Sequence, residues 1–247
     1  MTTKYIYTFG LIMTVVVALL LAGFRTLTAE SAARNEDIFN KREILATVAE
    51  PMQEFGKPID ALTDAEVLDF FKNNVQQIVV NANGEPVEGA NFAALDLAKE
   101  YKKPEAQRQY PVYIFDLNEE YYVFSVRGNG LWDAIWGNIA LASDLNTVTG
   151  ASFDHAGETP GLGAEIKDNA GWKSQFQGKK IYDGNQFVSI IVRKGGAVDQ
   201  EHEVDGLSGA TVTGDGVTKM LYNGLKAYEP YIEEQRAGAG ATGMNLK

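Results

Sequence analysis

The chain has 247 residues, 45% of them hydrophobic and 22% charged, which is typical of a folded protein with one substantial domain and a smaller appendage. It has no cysteine and two histidines, which excludes disulfide scaffolds, thiolate zinc sites and cysteine-held iron–sulfur clusters and disfavours a multi-histidine metal site. The net charge of -11 disfavours nucleic acid as a partner, because a protein that binds phosphate backbones needs a basic surface.

The N-terminal region is the most apolar part of the sequence. Between Lys4 and Arg25 lie 20 uncharged residues, which as a helix span roughly 30 Å, the thickness of one bilayer. We predict a single transmembrane anchor within residues 1–30; the alternative is a signal peptide cleaved after Ala29. Lys4 precedes the span whereas Arg25 and Arg34 follow it, so the positive-inside rule leaves the orientation open.

Two helical patterns follow the apolar segment. Residues 35–49 place apolar side chains on one helical face, and Asn35 is a plausible N-cap, which predicts a separate juxtamembrane helix. Residues 62–74 repeat the pattern, and Thr63 followed three positions later by Glu66 has the spacing of a capping box.

Segments rich in aromatic and β-branched residues then alternate with turn residues, which predicts antiparallel strands and hairpins. A C-terminal helix over residues 216–235, bent or broken near Pro230, and a flexible glycine-rich tail follow. The fold class is therefore α+β, a curled antiparallel sheet with flanking helices. The predicted strand segments are 77–80 with 87, 110–117, 121–126, 135–141, 148–153 and 187–193.

A first glycine-rich loop covers residues 155–163, with the sequence HAGETPGLG. Its glycines permit close approach to the backbone and Pro160 fixes one φ angle, so a planar ring could lie against the loop and Thr159 could hydrogen-bond to it. The alternative is an ordinary turn before a short helix at 164–169, with His155 and Glu158 as solvated polar residues.

A second loop, residues 205–211, has the sequence DGLSGAT and lies just before the C-terminal helix. Free backbone N–H groups and the positive end of a helix favour an anionic phosphate at such a place. The alternative is a Gly/Ser/Thr linker in which Thr213 is the helix N-cap.

Three segments of the sequence resemble known catalytic or nucleotide-binding motifs but do not match them. Residues 206–210 resemble a nucleophile elbow but have glycine directly after Ser208 and alanine in place of the last glycine. Residues 128–133 begin like a dinucleotide-binding motif but have Asp133 at the third glycine, and residues 178–180 lack the spacing of a phosphate-binding loop. A Ser208-dependent hydrolase, a Rossmann domain and a P-loop nucleotidase are therefore disfavoured.

The second loop resembles the flavinylation motif D-x-x-[ST]-G-A-[ST] of FMN-binding domains, whose last hydroxyl residue carries flavin through a phosphoester. Together with the ETPGLG run at 158–163 and the segment Gly130-Leu131-Trp132, the resemblance covers about residues 110–235. With its N-terminal span, the whole chain is similar to the C subunits of sodium-translocating NADH:quinone oxidoreductases. The related G subunits of Rnf complexes are the alternative family, and an anchored extracytoplasmic binding module without redox chemistry is the alternative outside both.

The resemblance implies a single-pass flavoprotein of the bacterial inner membrane that carries one covalent FMN, relays electrons from NADH towards ubiquinone in a sodium pump, and is inactive alone. The implied partners are the other subunits of the complex, the lipid bilayer and an FAD-dependent flavin transferase that acts during maturation. The soluble body would be periplasmic, with an anchor (1–30), helices and a hairpin (31–109), an FMN-binding domain (110–235) and a tail (236–247).

The resemblance also implies roles for individual residues, and it implies no catalytic residue and no metal ligand. Thr211 would be the attachment site. We call the second loop, residues 205–211, the acceptor loop. The other implied cofactor-binding residues are Asp205, Ser208, Gly209 and Ala210 in the acceptor loop, Thr159 and Leu162 at the isoalloxazine ring, and Trp132, His155, Glu158 and Gly163.

Overall fold

The computed structural model describes residues 3–48, 52–53 and 56–244, and the chain forms two compact units, Met1–Lys41 and Arg42–Lys247. The helices are α1 (Thr3–Ala46), α2 (Asp64–Asn74), α3 (Leu97–Glu100), α4 (Glu165–Asp168), α5 (Ala170–Ser174) and α6 (Thr211–Met244). The strands are β1 (Val75–Asn81), β2 (Gln109–Asp116), β3 (Glu120–Asn129), β4 (Ala134–Leu141), β5 (Val148–His155), β6 (Tyr182–Asp183), β7 (Gln186–Phe187), β8 (Ile191–Arg193) and β9 (Glu203–Asp205).

Helix α1 contains the apolar segment and, within the described residues, is the one helix long and apolar enough to cross a membrane. The prediction of a separate helix at 35–49 was wrong, because α1 continues without a break to Ala46. Asn35 lies inside the helix and caps nothing. The sequence from Arg25 to Ala46 has no glycine or proline to end the helix.

The capping box at the start of α2 is confirmed. The Thr63 hydroxyl accepts a hydrogen bond from the Glu66 amide at 3.3 Å, and the Glu66 carboxylate accepts one from the Thr63 amide at 2.8 Å. Two of the free N–H groups at the N-terminus of the helix are thereby satisfied.

The main sheet is antiparallel and five-stranded, in the order β1-β2-β3-β4-β5. It confirms the predicted α+β class and the hairpins at 110–126 and 135–153. Strand β3 is buried on both faces: Tyr122, Phe124 and Val126 join the cluster that packs against α6, whereas Tyr121 and Val123 join the cluster that includes α2. Helices on both faces therefore make this sheet the rigid centre of the second unit.

One predicted hairpin and one predicted strand differ from the structure. The turn after β1 forms with Gly84 at φ +84°, but Pro86 makes only an isolated bridge with Val80, and β1 pairs along its length with β2 instead. Proline has no N–H to extend a ladder. The predicted strand 187–193 is interrupted, with Ser189 at φ +62°, and β8 pairs in parallel with β9.

Helix α6 is longer than predicted. It begins at Thr211 instead of residue 216, continues through Pro230 without a break, and extends to Met244, so the predicted tail begins inside the helix. Leu221, Leu225, Tyr228 and other side chains of one face are fully buried against the sheet. This packing, which continues to Ile232, stabilises the helix despite the N–H that proline lacks.

Candidate functional site

The two glycine-rich loops meet in the structure. Leu162 of the first loop lies so close to Gly209 of the second that a β-carbon on Gly209 would be 2.6 Å from Leu162 Cδ2. Gly209 also has φ +73°, a left-handed conformation that glycine adopts readily. Both features require glycine at position 209, where the predicted motif places one.

Thr211 is the first residue of α6 and is half-buried. Its hydroxyl makes no hydrogen bond to any residue that the structure describes, and it lines a cavity of about 490 Å³, which we call the acceptor cavity. Thr211 is therefore accessible to a ligand. The other residues that line the acceptor cavity are Val192, Lys194, Gly195, Gly196, 205–210, Gly214 and Asp215.

The rest of the DGLSGAT loop is positioned by its neighbours. The carboxylate of Asp205 accepts a hydrogen bond from the Ala197 amide at 2.7 Å, and its backbone carbonyl accepts one from Trp172 Nε1 at 2.7 Å. Ser208 is exposed and Ala210 is buried. Asp205 thus holds the loop in place through both its side chain and its backbone.

The loop at 155–163 has a buried carboxylate at its centre. Glu158 is only 4% exposed, accepts a hydrogen bond from the Trp132 amide at 2.9 Å and accepts another from the Thr213 hydroxyl at 2.7 Å. Its own amide donates to Nδ1 of His155 at 3.2 Å. The interpretation of Glu158 as a solvated residue was therefore wrong, and Thr213 lies inside the first turn of α6 and is not its N-cap.

The hydrogen bonds to Glu158 determine its charge. Burial alone would raise the pKa of this carboxyl, because water no longer solvates the ionised form. The bonds from the Trp132 amide, the Thr213 hydroxyl and the neighbouring amides outweigh burial, and the pKa lies below its ordinary value. The side chain is consequently a carboxylate at neutral pH.

Large apolar side chains are exposed beside this carboxylate. Trp132 is 70% exposed and Leu162 is 44% exposed, and Thr159 is exposed in the same loop. Exposed apolar groups of this size are candidates for contact with a ligand or a partner. Leu162, which lies against Gly209, offers apolar surface for a planar ring beside the acceptor cavity.

Lys194 was missed from the sequence, and so were the contacts that Thr213 and Gly130, both named above in other roles, make with Glu158. Lys194 is followed by Gly195-Gly196, a cation beside flexible backbone after strand β8, and this local pattern could have pointed to it. Thr213 and Gly130 reach the site only through the fold. Within the described residues, no group of three or more His, Cys, Asp or Glu is placed to hold a metal ion.

The chain is similar to known proteins along most of its length. Residues 130–226 match the family of FMN-binding domains. The chain is 35% identical over 227 residues to the C subunit of the Na(+)-translocating NADH-quinone reductase of Haemophilus ducreyi, covering 79% of this chain and 88% of that protein. It is 32% identical over 248 residues to the C subunit of the Pseudomonas aeruginosa enzyme, covering 93% and 94%. The crystal structure of the C subunit from Parabacteroides distasonis matches with a TM-score of 0.69 and 36% identity over 81% of this chain and 94% of that one.

Proposed function

The chain belongs to the family of C subunits of the Na(+)-translocating NADH-quinone reductase, and we propose that it carries one FMN as a phosphoester on Thr211 and relays electrons within that complex. The family is that of a multi-subunit oxidoreductase, and its FMN-binding domain makes this chain a flavoprotein subunit. The covalent bond to Thr211, and the direction in which the body faces, are the proposed parts.

The free hydroxyl of Thr211 is the observation that carries the proposal. It lines the acceptor cavity, at the last position of a motif that resembles the flavinylation sequence, and it has no hydrogen-bond partner among the described residues. A threonine hydroxyl in a structural role is usually bonded to a nearby backbone group, as Thr218 is to the Gly214 carbonyl at 3.1 Å. Thr211 is left available for a new bond.

The attachment reaction balances with FAD as the co-reactant. The Thr211 oxygen would form a bond to the phosphorus of the FMN half, the hydroxyl proton would leave, and the phosphoanhydride bond to AMP would break. Threonine is a weak nucleophile that needs a general base, and no histidine lines the acceptor cavity among the described residues. We therefore propose that a separate flavin transferase supplies the activation.

The residues around Thr211 fit a flavin phosphate and its ring. Lys194 provides a positive charge in the acceptor cavity, and the glycines beside it allow backbone N–H groups to approach a phosphate. Trp132 and Leu162 provide exposed apolar surface for the isoalloxazine, and Thr159 provides a hydroxyl. Bound FMN would supply the redox chemistry, while these side chains would orient it and limit its contact with water.

The N-terminal half of α1 is proposed to anchor the chain in the bacterial inner membrane, with the body on the periplasmic side. Its length and apolar composition support the anchor. We propose residues 110–235 as the FMN-binding domain, a range that contains the match at 130–226, and residues 31–109 as an extension of it. The other subunits of the complex are the proposed partners for electron transfer.

Three variants of the full chain, each co-expressed with a flavin transferase, test the attachment site. Thr211→Val removes the hydroxyl but keeps the shape, so the denatured chain should show no flavin fluorescence on a gel. Thr211→Ser keeps a hydroxyl and should retain the fluorescence. Ser208→Ala, the matched control in the same loop, should also retain it. Fluorescence that persists in Thr211→Val, or is lost only in Ser208→Ala, would place the bond elsewhere.

A further inference from the structure

Glu158 has no positive partner although it is buried. No salt bridge includes it among the residues that the structure describes, so its charge is stabilised by hydrogen bonds alone. An unpaired buried carboxylate is costly, and proteins retain one only where several donors converge on it. Here the donors come from two different parts of the chain, the loop of Trp132 and the first turn of α6.

Two glycines make room for this carboxylate. A β-carbon on Gly130 would lie 2.4 Å from Glu158 Oε1, and one on Gly163 would lie 2.2 Å from Oε2. Both distances are far below van der Waals contact, and any other residue would displace the carboxylate. The glycines that precede Trp132 and follow Leu162 are therefore explained by Glu158.

The carboxylate thus connects the segments that are proposed to surround the flavin. One oxygen holds the amide of Trp132, and the other holds Thr213, two residues after Thr211. The chain from Glu158 to Gly163 then places Leu162 against Gly209 of the acceptor loop. Both oxygens are occupied by protein donors and the side chain is buried, so the carboxylate is directed at protein groups and away from solvent.

We propose that Glu158 is a positioning residue: its ionised, buried carboxylate fixes the Trp132 loop relative to the start of α6. It thereby positions the exposed side chains of Trp132 and Leu162, which we call the ring-binding surface, relative to Thr211. This inference rests on the proposed function, since the flavin ring is the group that the Trp132 loop and the start of α6 would hold. Glu158 acts through Trp132, Leu162 and Thr211, and it is not itself a flavin contact.

The first test uses protein expressed without a flavin transferase and shown by its visible spectrum to hold no flavin, so its result does not depend on where FMN binds. In full-length Thr211→Val protein in detergent, hydrogen exchange is measured by mass spectrometry for peptides covering 130–134 and 211–216. Adding Glu158→Ala should speed exchange at both by about tenfold, because the Trp132 amide and the Thr213 hydroxyl lose the acceptor that holds them, and should leave β2 unchanged. The control is Glu165→Gln, which removes a carboxylate in α4 close to the same loop and should leave exchange in both peptides unchanged.

If Glu158→Ala does not fold, Thr213→Val takes its place, since it removes one of the two bonds and should speed exchange in the same two peptides. Unchanged exchange in a folded Glu158→Ala or Thr213→Val variant would overturn the positioning role. A loss of protection throughout the sheet would also overturn it, since Glu158 would then be a general stabilising residue.

The second test uses the chain loaded with FMN. Glu158→Gln keeps the shape and one acceptor oxygen, replaces the other oxygen by an NH2 donor, and removes the negative charge next to Leu162 and Trp132. The flavin midpoint potential should rise, because a nearby negative charge disfavours reduction, and Glu165→Gln should shift it less. An equal shift in both variants would overturn the placement of Glu158 directly behind the side chains that are proposed to hold the ring. Should Thr211 prove unmodified while the exchange result holds, the proposed function alone would fail.

Discussion

Glu158 and Thr213 lie 55 positions apart in the chain, and their side chains are joined by a hydrogen bond of 2.7 Å at the start of α6. This bond connects the loop after β5 to the helix that begins with Thr211. The hydrogen bond can form only because Gly130 and Gly163, which have no side chains, leave space for the Glu158 carboxylate.

Gly163→Ala is expected to destabilise the protein, because the new β-carbon would lie 2.2 Å from Glu158 Oε2 and 2.7 Å from Thr213 Oγ1. Overpacking of this kind costs about 1–3 kcal/mol in the free energy of unfolding. Gly157→Ala in the same loop is the matched control, since its β-carbon would be 3.6 Å from Asp133 Cβ, an ordinary contact. Urea unfolding of the full chain measures both, and equal midpoints for the two variants would contradict this packing.

Tyr228→Phe is expected to lower the free energy of unfolding by about 1 kcal/mol, the typical value of one buried hydrogen bond. The Tyr228 hydroxyl is fully buried and lies 2.9 Å from the carbonyl oxygens of both Pro111 and Ser125. Tyr222→Phe on the same helix is the control, because Tyr222 is 46% exposed and should change stability by less than about 0.5 kcal/mol. If the two substitutions have the same effect, the bond from α6 to the sheet contributes nothing.

Glu203 gives the fold a measurable pH dependence. The Arg193 guanidinium, which lies against its carboxylate, lowers the pKa of Glu203 from 4.5 to about 2 despite burial, with help from two backbone amides. The pKa is lower in the folded state, so this pair stabilises the protein fully above about pH 4.5 and the contribution disappears as the pH falls to about 2. Arg193 is 44% exposed, so solvent screening weakens this contribution.

The measurement is the free energy of unfolding of the wild type and of Glu203→Gln as a function of pH. The difference between the two should be constant above about pH 5 and shrink towards pH 2, because the variant has no carboxyl to protonate. A difference that stays constant down to pH 2 would show that the ion pair between β8 and β9 does not stabilise the fold.

Leu162→Lys is expected to leave the covalent flavin in place and to raise its midpoint potential, because a positive charge beside the ring favours the reduced form. Val198→Lys is the control, since Val198 is 79% exposed and does not line the acceptor cavity. Redox titration of the two loaded variants compares them. A potential that moves equally in both, or in neither, would remove Leu162 from the ring-binding surface.

Local patterns were enough to predict much of the fold. The capping box of Thr63 and Glu66 needs only residues three apart, and the hairpin of 110–117 with 121–126 follows from two segments rich in aromatic and β-branched residues around a short turn. The predicted strand at 187–193 failed because β8 pairs in parallel with β9 across about ten residues, and no local pattern encodes that pairing. The prediction that a helix begins at Asn35 was wrong because α1 already includes the residues before Asn35, and an N-cap residue type inside a continuous helix does not begin a new one.

In the candidate site, too, the local motifs could be predicted from the sequence and the contacts between them could not. The acceptor loop at 205–211 is a local motif and could be predicted from its residues, and so could the glycine-rich loop that contains Leu162. The contact between them could not, since it needs the β-sheet and α6 to bring the loops together. Glu158 was placed in the site from the motif, but its pairing with Thr213 has no signal in either segment.

The proposed function depends on the bond between Thr211 and FMN, and mass spectrometry of the full chain purified from its native host tests that bond most directly. We predict that the peptide containing Thr211 has the added mass of FMN less one water, and that fragmentation assigns this mass to Thr211 and not to Ser208. An unmodified Thr211 peptide, from protein whose flavin is released into the supernatant by acid, would contradict it.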